Sequence, residues 1–382
     1  MHFFEFAQKD STLYEGQATQ SVNTGLDEIL EIRKDMDDSG QTINVSRVVI
    51  QFDIANISSS VVNGTIPADA NYFLNLFDAA STELITSQSL YAYPISQSWV
   101  PGEGFFSDNP ITTEGSSWRY RDGEITGTQW VSGSNSAGGR WVSGSTYEAS
   151  QSFDHETSDM RMNVTDIVKH WLSGSHDGVV LHNNGFIVKR SGSIGNSDTN
   201  VEEGNTDRFG QFKFFSRDTH TIFPPKLEVE WDDHSWSTGS LEPLTGSALE
   251  DTVIYFKNLR EEYKQNSKVR FRLVGRERYP KKTYSTTAAE VAVKYLPSGS
   301  QFIEHGTYYQ VRDAVTDDVI IPYGTGSIVS CDTESNFFNI WMNGFQPERY
   351  YKFEIRVVTG SKSSQTQIVN EYDNEYVFKV SR

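Results

Sequence analysis

Few residues able to do chemistry in this 382-residue chain are spaced to do it together. The eight histidines are dispersed, and none stands four residues from another with a carboxylate between, so the helical zinc-protease pattern is missing. No Gly-x-Ser-x-Gly elbow, P-loop or dinucleotide glycine fingerprint occurs. His170, beside Trp171, reads as a solvent-facing position on a short helix rather than a catalytic base. Adjacent acids recur at Asp37-Asp38, Glu202-Glu203, Asp232-Asp233 and Asp317-Asp318. Such pairs are usually solvated, although loop carboxylates beside backbone carbonyls can take up calcium, the one cofactor the sequence leaves open. The expectation is a protein that is not an enzyme.

Two other groups of residues suit binding. Trp99, Trp118, Trp130 and Trp141 punctuate a Gly-, Ser- and Thr-rich stretch over residues 96–152. Indole faces in a polar setting can stack on sugars, and Trp130 and Trp141 are the candidates for glycan contact. The competing reading is that these rings plug the space under long loops. Between residues 257 and 282, ten Lys and Arg face three Glu, a local reversal of sign in an acidic chain. In Lys268-Val269-Arg270-Phe271-Arg272-Leu273-Val274 the charges alternate with apolar residues, so they share one face of a strand. Lys268, Arg270, Arg272, Arg276 and Arg278 therefore form either a solvated face or an assembly interface to an acidic neighbour, possibly a second copy of the chain.

The elements that must position these residues are strands. Glu28-Ile29-Leu30-Glu31-Ile32-Arg33 alternates polar and apolar, Ser46-Arg47-Val48-Val49-Ile50-Gln51-Phe52 is a strong β run, and no amphipathic helix of ordinary length is evident. The exception is Thr165-Asp166-Ile167-Val168-Lys169-His170-Trp171-Leu172, whose apolar residues share one helical face, with Thr165 or Asp166 placed to cap it. Asn183-Asn184-Gly185 then signals a turn into the strand Phe186-Ile187-Val188. Residues 234–250, rich in Ser, Gly and Thr, are the candidate linker, and Tyr350 or Tyr351 is placed to pin a sandwich corner beyond it. A formal charge of −18 disfavours nucleic acid and anionic membranes as general partners. No run of 18 apolar residues is present, the N-terminus lacks the pattern of a secretory signal, and the lone Cys331 reads as a small buried residue.

The order of the motifs carries a resemblance. Asn23-Thr24-Gly25, Glu28-Ile29-Leu30-Glu31-Ile32 and the Ser46 to Ile54 strand come first. Trp99 with Pro101-Gly102-Glu103-Gly104, Ser117-Trp118, Gln129-Trp130 and Gly138-Gly139 follow. The series ends with Val164-Thr165-Asp166-Ile167-Val168-Lys169-His170-Trp171, Asn183-Asn184-Gly185-Phe186-Ile187-Val188-Lys189 and Phe215-Ser216-Arg217-Asp218. Over residues 1–233 this resembles the DNRLRE domain, a jelly-roll-like β-sandwich related to carbohydrate-binding modules. The remainder, with Gly275-Arg276-Glu277-Arg278-Tyr279-Pro280 and Gln346-Pro347-Glu348-Arg349-Tyr350-Tyr351-Lys352, resembles the accessory β-domain of virion structural proteins in T4-like phages of marine cyanobacteria. The resemblance implies an all-β chain: an N-terminal jelly-roll-like sandwich (1–233), the linker (234–250) and a smaller immunoglobulin-like sandwich (251–382). It further implies a virion protein of the neck, collar or tail, a homo-oligomer assembling symmetrically with other virion proteins. The alternative is an adhesin for a host surface glycan.

Overall fold

Alternating apolar and polar residues become strand after strand. The computed structural model describes every residue except 37–42, 86, 125–126, 131–136, 155–157, 177–178, 193–201, 245–251, 280–283, 285–291, 301–304, 361 and 364, and the side chains of 175, 176, 179, 374 and 375. Asp37-Asp38 and the basic pair Lys281-Lys282 thus lie outside the described residues.

The chain is all-β, of sandwich type, and divides into two compact units, Glu5–Glu228 and Met1–Phe4 with Val229–Arg382. The larger unit carries β1 (His2–Tyr14), β2 (Ile29–Met36), β3 (Ile43–Phe52), β4 (Asn71–Leu76), β5 (Gln88–Pro94), β6 (Ala149–Phe153), β7 (Met160–Asn163), β8 (Ser175–His176), β9 (Val179–Val180), β10 (Phe186–Lys189), β11 (Gly210–Phe215) and β12 (Lys226–Glu230), the first and last of which run across the division. One path runs β6-β5-β10-β3-β1-β12-β4-β7, and β2 joins β11 to β3. The two ends of the path approach each other. Gln151 of β6 donates to the Asp159 carbonyl and accepts from the Arg161 amide of β7, so the sheet curls round its own core. On β3, Val45 pairs with β2 and Ser46 with β1, which carries the strand from one layer to the other.

Residues 162–190 fold largely as their pattern predicts. Helix α2 spans Thr165–Ser173, and Gly174 ends it in the left-handed conformation at φ +76°. Ile167, Val168 and Trp171 are buried, and the Trp171 ring packs 4.6 Å from Phe186; His170, expected to face solvent, is buried as well, its ring 5.2 Å from Tyr147. The expected cap is absent: the N-cap position is Val164, and Thr165 Oγ1 instead accepts the Tyr72 amide. Tying the helix to β4 outcompetes capping it. Gly185 has φ +92°, and a Cβ there would stand 2.2 Å from the Ile50 carbonyl, so only glycine lets β10 lie against β3. Trp171→Ala should cost about 3–5 kcal/mol by denaturant unfolding, as for other buried aromatics; a loss under about 1 kcal/mol would show that the site collapses to fill the gap. A second helix, α1 (Ala55–Val62), follows the Ser46 to Ile54 strand without a helical signal in the sequence; Asp53 Oδ1 holds its first amide, and Ile57 alone is buried, too little periodicity to read.

The second unit contains β13 (Glu242–Pro243), β14 (Thr252–Lys257), β15 (Glu262–Lys264), β16 (Lys268–Glu277), β17 (Lys294–Tyr295), β18 (Gly306–Asp313), β19 (Val319–Ile321), β20 (Ser330–Cys331), β21 (Asn336–Trp341), β22 (Arg349–Thr359) and β23 (Ile368–Ser381). Sheets β13-β17-β16-β21-β20, with β14 on β16, and β15-β23-β22-β18-β19 share an aromatic core. Tyr309 stacks on Phe338 at 4.0 Å, and Phe353 lies 4.7 Å from both Phe271 and Phe378. Tyr351 is the corner residue: its buried hydroxyl donates to the Gln346 carbonyl at 3.0 Å.

The division differs from the expected one in two respects. Phe4 belongs to the core of the second unit, where a Cβ on Gly344 would stand 2.1 Å from its ring. The expected linker is sheet in part, with Glu242–Pro243 paired to Lys294–Tyr295, Leu244 buried and Trp236 bridged to Cys331; residues 245–250 lie outside the described ones. Ser, Gly and Thr report backbone freedom, but an edge strand needs only a free neighbouring edge, which composition does not reveal.

Candidate functional site

The tryptophans do not form a platform. Trp130 is 1% exposed, and its indole N–H donates to the Ser117 carbonyl at 2.9 Å. Trp99 and Trp118 are also buried, in one apolar cluster with Leu13, Val49 and Ile187. Trp141 packs against that cluster, with the Arg47 guanidinium 5.0 Å and the Lys189 ammonium 5.1 Å from its ring centre. Trp130 offers no face to a sugar, and the Trp141 ring already carries two cations. The glycan role expected of this pair is therefore corrected: the rings fill the space beneath the 96–152 loops, because burying an indole there gains more than leaving it wet.

Under the same loops lies an ionic cluster that the sequence did not single out. Arg47 on β3 pairs with both oxygens of Glu203, Nη2 at 2.6 Å and Nε at 3.1 Å, and Lys189 at the end of β10 reaches the same carboxylate at 3.3 Å. Side-chain exposures are 2% for Arg47, 1% for Lys189 and 0% for Glu203. Arg47 Nη1 also donates to the Gly138 carbonyl at 2.7 Å. Gly138 sits at φ +82°, where a Cβ would stand 2.6 Å from both Arg47 and Trp118. Burial drives the Lys189 ammonium down to about 8, with Glu203 opposing the shift. Arg47 inside Val45-Ser46-Arg47-Val48-Val49 was the available signal: a charge amid an otherwise buried strand needs a buried partner.

The other adjacent acids are likewise engaged by this chain's own donors. Asp317 pairs with Lys352 at 2.6 Å, and Asp232 Oδ1 accepts the His234 amide at 2.8 Å. Glu202 stands 3.5 Å from Arg190.

The basic residues of the second unit divide into two kinds. On β16, Phe271 and Leu273 point into the core, leaving Lys268, Arg270 and Arg272 on the outer face, opposite Trp341, Asn339 and Phe337 of β21. Arg272 is committed internally, with two 2.9 Å bonds to the Asp332 carboxylate, which holds that acid down at about 2. Arg276 is half-buried and bonds the Glu277 carbonyl at 3.3 Å. Lys268 and Arg278 are exposed; Arg270 is 50% exposed, lying 4.2 Å over Phe337. Lys257, beside Arg272 on β14, adds an exposed cation to the same face.

The third feature is a cleft of about 310 Å³ on the larger unit, lined by Tyr14, Asp27, Glu28, Ile29, Glu31, Arg33, Phe106 and Gln211. The alternation read in Glu28-Ile29-Leu30-Glu31-Ile32-Arg33 places Glu31 and Arg33 on one outer face, while Leu30 and Ile32 enter the core. Tyr14 donates to Glu31 Oε2 at 3.0 Å, and its ring lies between Phe106, at 4.6 Å, and the Arg33 guanidinium, at 4.9 Å. Asp27 accepts the Phe106 amide at 3.1 Å; burial raises this carboxyl to about 6. Arg33 Nε has no hydrogen-bond partner among the described residues.

No family model and no curated protein matches the chain. Among solved structures it is similar to a DUF4785 family protein from Legionella pneumophila, at 8% identity and a TM-score of 0.20, over 98% of this chain and 65% of that one. The chain thus spans under two thirds of that protein's length, and a likeness this low carries no argument about fold or function.

Proposed function

We propose that this chain is a non-enzymatic structural protein of a tailed-phage virion, assembling through the outer face of the sheet that contains β16. The virion setting is supported by the ordered sequence resemblance. The assembly surface is supported by how charge is divided along the chain. Residues 5–228 carry 30 Asp and Glu against 15 Lys and Arg, whereas residues 229–382 carry 21 against 18. Almost the whole net charge of −18 therefore belongs to the larger unit, and the exposed cations Lys257, Lys268, Arg270 and Arg278 belong to the other. A basic sheet face on one copy complements the acidic larger unit of the next, a heterologous contact that builds rings or filaments.

Charge reversal tests this at exposed positions; Arg270 lies 3.8 Å from Asp332, a looser contact than the 2.9 Å pair that Arg272 makes. Lys268→Glu with Arg270→Glu should abolish self-association seen by sedimentation velocity at low salt and leave the circular dichroism spectrum unchanged, because exposed strand charges contribute little to stability. Added salt should weaken association of the unaltered chain, since the attraction is screened within about 10 Å at 0.1 M. A chain that stays monomeric at low salt, or associates equally well after reversal, would rule out this face. Arg272 is left alone in this test, because Glu there would oppose Asp332 and destabilise the sheet itself.

A further inference from the structure

Lys34 on β2 is 1% exposed, yet it forms no ion pair among the described residues. Its ammonium donates instead to three neutral oxygens: the Glu202 carbonyl, the Asn205 carbonyl at 2.7 Å and the Asn205 side-chain Oδ1 at 2.6 Å. The buried Phe209 ring lies 5.3 Å from the same nitrogen. A buried ammonium is usually matched by a carboxylate, because neutral acceptors restore only part of the hydration it gives up. Burial accordingly pulls Lys34 below its ordinary range, with the charge of Asp207 opposing.

The side chain that Lys34 does meet is a carboxamide, whose carbon an unprotonated amine can attack. A nitrogen held on the amide oxygen is a small side-chain rotation from the carbon bonded to it. Asn205 Oδ1 also accepts the Asp207 backbone amide at 3.0 Å, so a donor already points at the atom on which charge would develop. The sheet sets this meeting. Gly210 of β11 pairs opposite Lys34, and the Phe209 amide donates to the Lys34 carbonyl at 2.9 Å, which brings the loop entering β11 back onto β2.

We propose that Lys34 and Asn205 join through an amide bond, an intramolecular isopeptide crosslink between β2 and the loop entering β11. The Asp207 carboxylate first takes a proton from the Lys34 ammonium. Neutral Nζ then attacks Cγ of Asn205, a C–N bond forms, and the Asp207 backbone amide holds the oxyanion. The Cγ–Nδ2 bond breaks, and Nδ2 leaves as ammonium with one proton from Nζ and one from the Asp207 carboxyl. The reaction releases one ammonium ion and uses no oxidant or cofactor. It removes the buried charge and ties residues 171 positions apart, which restricts the unfolded chain. None of this rests on assembly through β16.

Intact-mass spectrometry of the full chain tests the crosslink. The protein should be lighter than its sequence mass by one ammonia, about 17 Da. Proteolysis should yield a branched peptide that contains both Lys34 and Asn205. Lys34→Met and Asn205→Ala should each return to full sequence mass and unfold at lower urea concentration than the parent. Asp207→Asn, at an exposed position that keeps the backbone amide, should fold normally and remain largely at full mass. A parent chain at full sequence mass overturns the proposal. So does a loss of ammonia that persists in Lys34→Met, because that marks ring closure of Asn205 on its own backbone. Complete crosslinking of Asp207→Asn would overturn the proton-carrying role of that carboxylate. Lys268→Glu with Arg270→Glu should leave the mass deficit intact, which separates failure here from failure of the assembly reading.

Discussion

Replacing Glu203 with Gln should destabilise the larger unit by about 3–5 kcal/mol, the usual cost of breaking a buried ion pair from one side. Glu203 is the shared counter-charge of Arg47 and Lys189, and all three side chains are withdrawn from solvent. The amide of Gln keeps the shape and one acceptor but no charge. Lys189, already lowered to about 8 by burial, can then shed its proton at little cost. Arg47 cannot, so its guanidinium stays charged and buried without its paired carboxylate, left with the Gly138 carbonyl, the faces of Trp118 and Trp141 and the more distant charge of Glu15 among the described residues. Urea unfolding of the full chain measures the effect. Changing Arg47, Lys189 and Glu203 together to Met, Met and Leu should recover most of the loss, because removing the whole group also removes its desolvation cost. A Glu203→Gln loss under about 1 kcal/mol would mean that the cluster is hydrated and screened.

Stability of the larger unit should pass through a minimum near pH 7–8 instead of peaking there. Burial raises Asp10 to about 7, Glu5 to about 7 and Asp27 to about 6. Each keeps its proton in the folded state over a range where the unfolded chain has lost it, so the folded form binds more protons and stability falls as pH rises from about 4 to 7. Burial lowers Lys9, Lys189 and Lys226 to about 8. Between about 8 and 10.4 the unfolded chain binds the extra protons, so stability rises with pH there. Asp10 dominates the acid limb, being 1% exposed, with Oδ2 on the Arg217 amide at 2.8 Å; its share is on the order of 4 kcal/mol, at about 1.4 kcal/mol per tenfold change in proton affinity. Asp10→Asn keeps an acceptor for that amide and should flatten the limb, leaving the variant more stable than the parent at pH 8. Denaturant midpoints at pH 5, 7.5 and 9.5 distinguish this profile from a dome with its top near neutrality, which would refute it.

Much of the secondary structure was written locally. Alternation in residues 28–33, the β run of 46–52 and the helical spacing of 165–172 each describe a few neighbouring residues, and each became the element it describes. Tyr351 as a corner residue was local too, since its partner Gln346 is five positions away. The candidate sites fared differently. For Trp130 the sequence left platform and plug both open, and for Arg272 alternation placed it on an outer face; the first is sealed by a carbonyl 13 residues away and the second is engaged by an acid 60 residues away. Phe4 joining the core of the second unit shows the same limit over a longer span.

The sequence by itself determined the class of fold, because period-two patterning, the scarcity of helical stripes and the turn glycines act over short distances. It also determined the unequal division of charge, which needs no coordinates. Only the tertiary structure decided which charges reach solvent. Glu203 finds Arg47 across 156 residues, and Tyr14, Glu31 and Phe106 become neighbours when β1, β2 and a loop meet. Whether a tryptophan is a platform or a plug, and whether an arginine is a contact or a strut, depends on what folds over it, and no local pattern encodes that.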